Sequence, residues 1–482
     1  MSEFVITVFN NGKRLNICAE RGDLLIDLLT ANGITVPASC GRRGTCSKCT
    51  VKLISGHFEG VTPDENCLIK SCKAVVCGNA QIHCNFESGN GLTENAFSAV
   101  NSTKSGAAID IGNTTVAAAY LSKNGQIQYS SCLNPQSTYG ADVISRIKAC
   151  ADGHLNEMTA LIRNCIHNLL DELNCTENIA TLAVSGNTTM LHLFCGISPE
   201  SMGHSPFLPQ FTDYKIINGT EYGFNVKNII ILPSVSAFIG ADITAGAYSL
   251  NLAKEDENVL FADLGTNGEI VLSKHGELYC TSTAAGPALE GACIECGCGG
   301  INGAIDSVEN VNGSIKYTTV GNAEPAGICG SGIVDTVTYL LENKLIDETG
   351  YFEDEKLTIT DNIYFTQKDI RQFQLAKSAI YSGIETICEA AELKMSEIDR
   401  LYIAGGLGYY INPESAVNCG LLPGMDTNKI IPAGNTSLQG ALNCLTSPEV
   451  LNEMQKLTEK FRLIDLGGNP KFNERFMENM YF

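Results

Sequence analysis

The chain is predicted to be a mixed α and β protein, an N-terminal β-grasp domain followed by a duplicated two-lobed body, and three observations carry that expectation. First, "FVITVFNNGKRLNI" alternates apolar and polar residues around a turn at Asn11-Gly12, and "LLIDLLTANG" then switches to helical spacing. Second, "AAIDIGNTTVAAAYL" from Ala107 and "LFADLGTNGEIVLS" from Leu260 each read as a strand ending in Asp-x-Gly, a polar turn and another strand. Their aspartates stand 153 residues apart, the size of a domain and far longer than a solenoid repeat. Third, the strand-rich openings are followed by helical stretches at 141–174 and 367–394.

A length of 482 residues exceeds one compact core and implies two to four domains. The stretch 87–106, "ESGNGLTENAFSAVNSTKSG", has no periodicity and the Ser, Asn and Gly content of a flexible connector. The expected partition is therefore a head at 1–86, a linker at 87–106, a first lobe at 107–257 and a second lobe at 258–482. The closing "FRLIDLGGNPKFNERFMENMYF" has aromatics at roughly helical spacing and is expected to pack against a lobe.

Composition narrows the function classes. No apolar run reaches membrane-spanning length, so a soluble protein without membrane association is expected. The net charge of −21 disfavours nucleic acid and anionic lipid as partners. That charge is uneven: residues 1–90 hold nine Lys and Arg against eight Asp and Glu, so the remainder carries the deficit. No basic-then-apolar export segment opens the sequence, and with 21 cysteines metal ligation or reduced thiols are favoured over a disulfide framework. A cytoplasmic location is the expectation.

The loop "PASCGRRGTCSKC" sets Cys40, Cys46 and Cys49 at C-x5-C-x2-C, with Cys67, Cys72, Cys77 and Cys84 following. A [2Fe–2S] cluster needs four thiolates, and three from a tight loop plus one from a remote strand is the plant-ferredoxin arrangement. Gly41 and Gly44 let the backbone curve around such a cluster. A zinc site would more often pair two C-x2-C knuckles, and this loop has one. Spacing leaves the fourth ligand open; Cys72 is preferred because an apparent turn and final strand could return it to the loop, with Cys77 in reserve. Arg42, Arg43 and Lys48 either tune the potential and steer a partner or form a solvated rim.

In the body, each Asp-x-Gly turn can cradle phosphate with its exposed amides while the aspartate holds Mg²⁺ through water. No GxxxxGK[ST] motif occurs, so a P-loop is not the route to nucleotide. A third glycine-rich element, "LYIAGGLGYYINPESA", ends a strand-like run and could face adenine or ribose. Phosphate, phosphate, adenosine is the order of the actin-like ATPase fold, with its ribonuclease H-like lobes, shared by acetate and sugar kinases, Hsp70 and hexokinase.

A ferredoxin-like head with "CGRRGTCSKC", joined to "AIDIGNTTV", "YGADVISRI", "SGNTTMLHLF", "SPFLPQF", "ADLGTNGEIVL", "STAAGPALEGA", "GICGSGIVD", "QKDIRQFQLAKSAI" and "AGGLGYYINPESA", resembles the reductive activators of corrinoid proteins. The matches run in order from about Cys40 to the closing residues. The resemblance implies an ATP-hydrolysing electron donor that reduces cobalt(II) to cobalt(I) in the corrinoid protein of a methyltransferase system, itself recharged by an upstream reductant. It also implies an uphill transfer, since a plant-type cluster sits near about −400 mV and the cobalt couple lower. By position it assigns Asp110 and Asp263 to the metal-phosphate centre. Gly112, Thr114, Thr115, Gly265, Thr266 and Asn267 fall to the phosphate turns, and Gly405 with Gly406 to the adenosine pocket.

Two departures accompany the resemblance. Relatives commonly carry a domain between head and body, whereas here only a short linker separates Glu87 from Ala107, which bears on whether a homodimer forms. The segment "EGACIECGCGG" carries Cys293, Cys296 and Cys298, with Cys329 in another glycine-rich turn, so a second metal centre is weighed against incidental thiols. The seven histidines lack ligand spacing, and "SGNTTM" around Thr188 is either a cleft loop or a structural turn. Competing readings are an ATP-gated donor to another low-potential metalloenzyme and a small-molecule kinase with an accessory cluster.

Overall fold

The computed structural model describes residues 4–10, 13–32, 34, 36, 38, 42, 44, 47–84, 86, 105–175, 179–408 and 410–482. Cys40, Cys46, Gly41, Arg43 and nearly all of the expected linker lie outside them.

The head is a five-stranded sheet in the order Lys13–Ala19, Phe4–Asn10, Ala80–Cys84, Thr50–Ser55, Leu68–Lys70. Phe4–Asn10 runs parallel to Ala80–Cys84, and the other neighbours are antiparallel. The helix Leu25–Ala31 lies across this sheet because Leu25, Ile26 and Leu29 form one apolar stripe that packs with Ile6, Val8, Ile17 and Ile82. Burying each of those three side chains stabilises the head by about 1.5–3 kcal/mol.

The body has two six-stranded sheets that share the arrangement of five strands and carry the sixth at opposite edges. The first is ordered Ile127–Leu133, Thr115–Leu121, Gly106–Ile111, Thr181–Gly186, Asn228–Ile231, Lys215–Asn218. The second is ordered Ile430–Gly434, Arg400–Ala404, Asn258–Leu264, Gly268–Lys274, Glu277–Thr283, Phe461–Leu463. In both, the first three strands in chain order form an antiparallel meander and the first is parallel to the fourth; the fourth is in turn parallel to Asn228–Ile231 in the first sheet and to Ile430–Gly434 in the second. The repeated Asp-x-Gly pattern thus marks a repeated sheet. Strands buried on both faces need near-continuous apolar sequence, which "TLAVSG" and "RLYIA" supply.

The helical expectations are modified in one place. The stretch 141–174 divides into Val143–Ala149 and Leu155–Glu172, because Gly153 adopts φ +99 and breaks the helical path between them. Gln367–Ala390 is one continuous helix, started by a capping box in which Thr366 and Asp369 bond each other's backbone amides.

The helices that close each lobe do not follow the chain-order boundary at 257/258. Ile239, Ile243 and Ala247 pack on Val259, Phe261 and Val271 of the second sheet. Conversely, Leu438, Ala441, Leu442, Leu451 and Met454 complete the core of the first lobe. The helices Ala241–Ser249 and Thr436–Cys444 cross between the lobes, so closely that a Cβ at Gly440 would sit 2.5 Å from the Ala245 Cβ. The closing helix Pro470–Glu478 packs on Gln367–Ala390, where Gln374 donates to Met480 O at 2.6 Å and the Phe482 ring stacks on Phe373.

Candidate active site: a cleft between two glycine turns

Between the lobes lies a cavity of about 410 Å³. Asp110, Gly112, Thr114, Thr115, Asp263, Gly265, Thr266, Asn267, Gly405 and Gly406 all line it, so the ten body residues assigned to a nucleotide from the sequence face one space.

Asp110 and Asp263 hold equivalent positions, each next to last in the first strand of its lobe. Gly112 closes the first turn: its amide donates to Thr115 O at 3.0 Å, and a Cβ there would come within 2.8 Å of the same oxygen. Gly265 donates likewise to Asn267 O at 3.0 Å. Gly405 follows the strand Arg400–Ala404 with φ +85, and a Cβ on it would stand 2.6 Å from Asp263 Oδ1. Glycine is required there for both reasons. The two turns meet at Glu290, whose carboxylate accepts hydrogen bonds from the hydroxyls of Thr266 and Thr114.

The cleft is strongly acidic. Asp110, Asp242, Asp263, Glu269 and Glu290 share its wall, and no Lys or Arg lines it among the described residues. Asp110 accepts from Asn435 Nδ2 at 2.8 Å and Ser437 Oγ at 2.7 Å, which oppose the upward push of burial on its carboxyl. Burial, then the charges of Asp110 and Glu290, push Asp263 up to about 7. Burial, then Asp263 and Asp110, push Asp242 up to about 8. Such a wall calls for a cation-bearing ligand, because unscreened carboxylates in a recess raise one another's proton affinity. No three ligating side chains converge on one point among the described residues. The arrangement suits Mg²⁺ carried in with phosphates and held through water.

Asp242, Glu269 and Glu290 went unassigned in the sequence, as did Arg146. Two of the acids stood in quoted motifs, "ADLGTNGEIVL" and "STAAGPALEGA", where their proximity to a turn was the available signal. Thr188 resolves as structural: its hydroxyl donates to Ser236 O at 2.6 Å from inside the helix Thr188–Cys195, while the capping Asn187 reaches the cleft.

In the head, Cys49 and Cys72 are adjacent and buried. The Cys72 thiol's hydrogen bond, acting against burial, brings Cys49 down to about 6. Two neighbouring thiols, one of them favouring thiolate, fit the donor chemistry of an iron–sulfur cluster. Cys77 instead turns its sulfur to His57 O at 3.4 Å. Cys293 is exposed, Cys296 is 3.9 Å from Asn362 O and Cys329 donates to Ile305 O at 3.3 Å; these cysteines and Cys298 do not form a ligand cluster among the described residues.

The head is seated on both lobes. Arg42 Nε donates to Thr138 O at 2.8 Å, and its guanidinium lies 4.1 Å above the Tyr139 ring. Lys48 Nζ donates to Ile294 O at 3.0 Å and Gly297 O at 3.1 Å on the second lobe. The expected alternatives for these residues, steering group or solvated rim, give way to a third: Arg42 and Lys48 are docking contacts.

Comparison with known proteins agrees with this architecture. Residues 8–77 match the 2Fe-2S iron-sulfur cluster binding domain, residues 105–255 the RACo middle region, and residues 257–482 the C-terminal domain of RACo, the ASKHA domain. The corrinoid activation enzyme RamQ of Eubacterium limosum is 35% identical over 422 residues, covering 78% of this chain and 70% of its own. A Co(II) methylated amine-specific corrinoid protein reductase of Methanosarcina barkeri is 28% identical over 321 residues, 59% of each chain. The solved structure of a reductive activator for corrinoid, iron-sulfur protein superposes with a TM-score of 0.73 over 99% of this chain and 98% of that one, at 24% identity, and so shares the fold. With a ferredoxin-type head, a two-lobed ASKHA body and a relative of this identity and coverage, the chain belongs to the family of reductive activators of corrinoid proteins.

Proposed function

We propose that this protein is an ATP-dependent reductive activator that delivers a low-potential electron to the cobalt(II) corrinoid of a methyltransferase corrinoid protein, returning it to cobalt(I). The observation that carries the reading is the seating of an iron–sulfur head on both jaws of an acidic, glycine-turned cleft. Cys40, Cys46, Cys49 and Cys72 would hold the [2Fe–2S] cluster; once bound it supplies one-electron transfer at low potential. The adjacency of Cys49 and Cys72 supports Cys72 as the fourth ligand over Cys77.

In the cleft, the amides and hydroxyls at Gly112 to Thr115 and Gly265 to Asn267 orient the phosphates from opposite sides. Gly405 and Gly406 leave room for the adenosine. Asp110 and Asp263 would hold Mg²⁺ through water, and the bound ion would supply positive charge against the acidic wall. Closure of the lobes on ATP would alter the docked corrinoid's axial coordination and raise its effective potential, and hydrolysis would release the reduced partner.

The working division is a head at 1–86, a linker at 87–106 and lobes at 107–257 and 258–482 that exchange their closing helices. An upstream reductant reloads the head. A cytoplasmic location suits its many free thiols, and among the described residues no helix is long and apolar enough to cross a membrane.

EPR of the dithionite-reduced protein, with ATPase rates measured with and without a corrinoid protein, tests the reading. A rhombic [2Fe–2S] signal together with partner-stimulated hydrolysis is expected. Transfer of the γ-phosphate to a metabolite would favour a kinase instead.

A further inference from the structure

Two thiols of the first lobe, away from both the cleft and the head, lie against each other. Cys132 is next to last in the edge strand Ile127–Leu133, and Cys165 belongs to the helix Leu155–Glu172, which packs on that strand. Their sulfurs are 3.1 Å apart, within hydrogen-bond contact. The pair is chemically unequal. Cys165 is buried in the core of the lobe, and its hydrogen bond to Cys132, then burial, hold its thiol well above the ordinary value. Cys132 is half-buried and is the sulfur that a solute meets first. Packing alone would ask only for burial, as at Cys280 in the second lobe, and not for two sulfurs in contact.

The segment between these cysteines carries the ties of the first phosphate turn. Asn134 donates its amide to Thr114 O at 2.7 Å and its side chain to Gly112 O at 2.8 Å. Arg146, fully buried, donates to Asn113 O at 2.5 Å and to Gly140 O at 3.1 Å. Because Asn134 follows Cys132 by two residues, a movement of that sulfur reaches the turn through one short stretch of chain.

We propose that Cys132 and Cys165 form a reversible disulfide that slows nucleotide turnover, making the first lobe responsive to oxidising small-molecule disulfides. The Cys132 thiolate attacks glutathione disulfide; one glutathione leaves as its thiolate and the other stays on Cys132 as a mixed disulfide. Cys165, on losing its proton, attacks the Cys132 sulfur, releases the second glutathione and closes the protein disulfide. The two protein thiols give up two protons and two electrons, and both glutathiones leave reduced. Bond formation draws the sulfurs closer than their present contact and pulls the end of the strand, with Asn134, towards the helix. A misplacement of about 1 Å can cost roughly 100-fold in rate. The effect on turnover rests on the reading of the cleft as an ATP site, whereas the disulfide does not.

The holoprotein, freed of reductant, is incubated anaerobically with excess glutathione disulfide, alkylated in denaturant, digested and weighed by mass spectrometry. The expected product is a pair of peptides joined through Cys132 and Cys165 that dithiothreitol separates. In Cys165→Ser the reaction should stop with glutathione on Cys132, and in Cys132→Ser the Cys165 thiol should remain alkylatable. The oxidised parent should hydrolyse Mg²⁺-ATP at least about five-fold more slowly than the reduced parent and recover with dithiothreitol. A double variant, Cys132→Ser with Cys165→Ser, should keep its rate through the same treatment, which separates this pair from the other thiols. Free thiols at both positions after oxidation, or a joined pair with an unchanged rate, would overturn the proposal. A reduced parent without ATPase activity would defeat the effect on turnover together with the ATP reading, while the joined peptides alone still decide the disulfide.

Discussion

Asp110 and Asp263 occupy the same place in two hairpins, and their roles follow from what surrounds them. On the proposal that they would hold Mg²⁺ through water, Asp110→Asn and Asp263→Asn should each lower ATPase activity by roughly 10- to 100-fold while leaving the cluster's spectrum intact. At the cluster, Cys72→Ser should abolish the [2Fe–2S] absorbance on reconstitution and Cys77→Ser should retain it; the opposite pattern would make Cys77 the ligand. The carboxylates also give a pH signature. Asp242, raised to about 8 by burial and then by Asp263 and Asp110, binds a proton in the folded state that the unfolded chain releases near about 4. Its contribution to stability is complete below that lower value and is lost as pH rises through the folded one. In nucleotide-free protein, Tm relative to an Asp242→Asn variant should fall over that rise, and a difference that stays flat would refute the assignment. Asp110 and Asp263 were legible because the Asp-x-Gly turn repeats in sequence. Asp242, Glu269, Glu290 and Arg146 were not, because their significance comes from burial around a shared cavity, which no local pattern encodes.

At the level of elements, the paired meanders could be read from alternation and from the turns that interrupt it. The exchange of helices could not. A 3.6-residue apolar period in "TSLQGALNC" says that one face is buried but not which lobe buries it. The crossing of Ala241–Ser249 with Thr436–Cys444 depends on small residues, and Gly440→Ala should lower the chemical-denaturation stability by about 1–3 kcal/mol because its Cβ overlaps Ala245. An unchanged denaturation midpoint would mean that the helices separate freely. Gly405→Ala acts on a strained turn: with φ +85 and Asp263 Oδ1 in the way, it should weaken nucleotide binding more than Gly406→Ala, where an added Cβ meets nothing within 4 Å.

For the whole molecule, the uneven charge seen in sequence has a structural counterpart. A nearly neutral head presents Arg42 and Lys48 to backbone carbonyls of an acidic body, and the docking segments of that body continue into the walls of the cleft. Motif order showed that head and body share a chain; it could not show that they touch, since contacts between residues 48 and 294 have no local signature. The account's central claim is that nucleotide drives an otherwise unfavourable electron transfer out of this molecule. Its most direct test is anaerobic mixing of the reduced protein with a cobalt(II) corrinoid protein, following cobalt(I) absorbance with and without Mg²⁺-ATP. The account predicts cobalt(I) formation in step with ATP hydrolysis and little without it; an equal yield in the absence of nucleotide would contradict it.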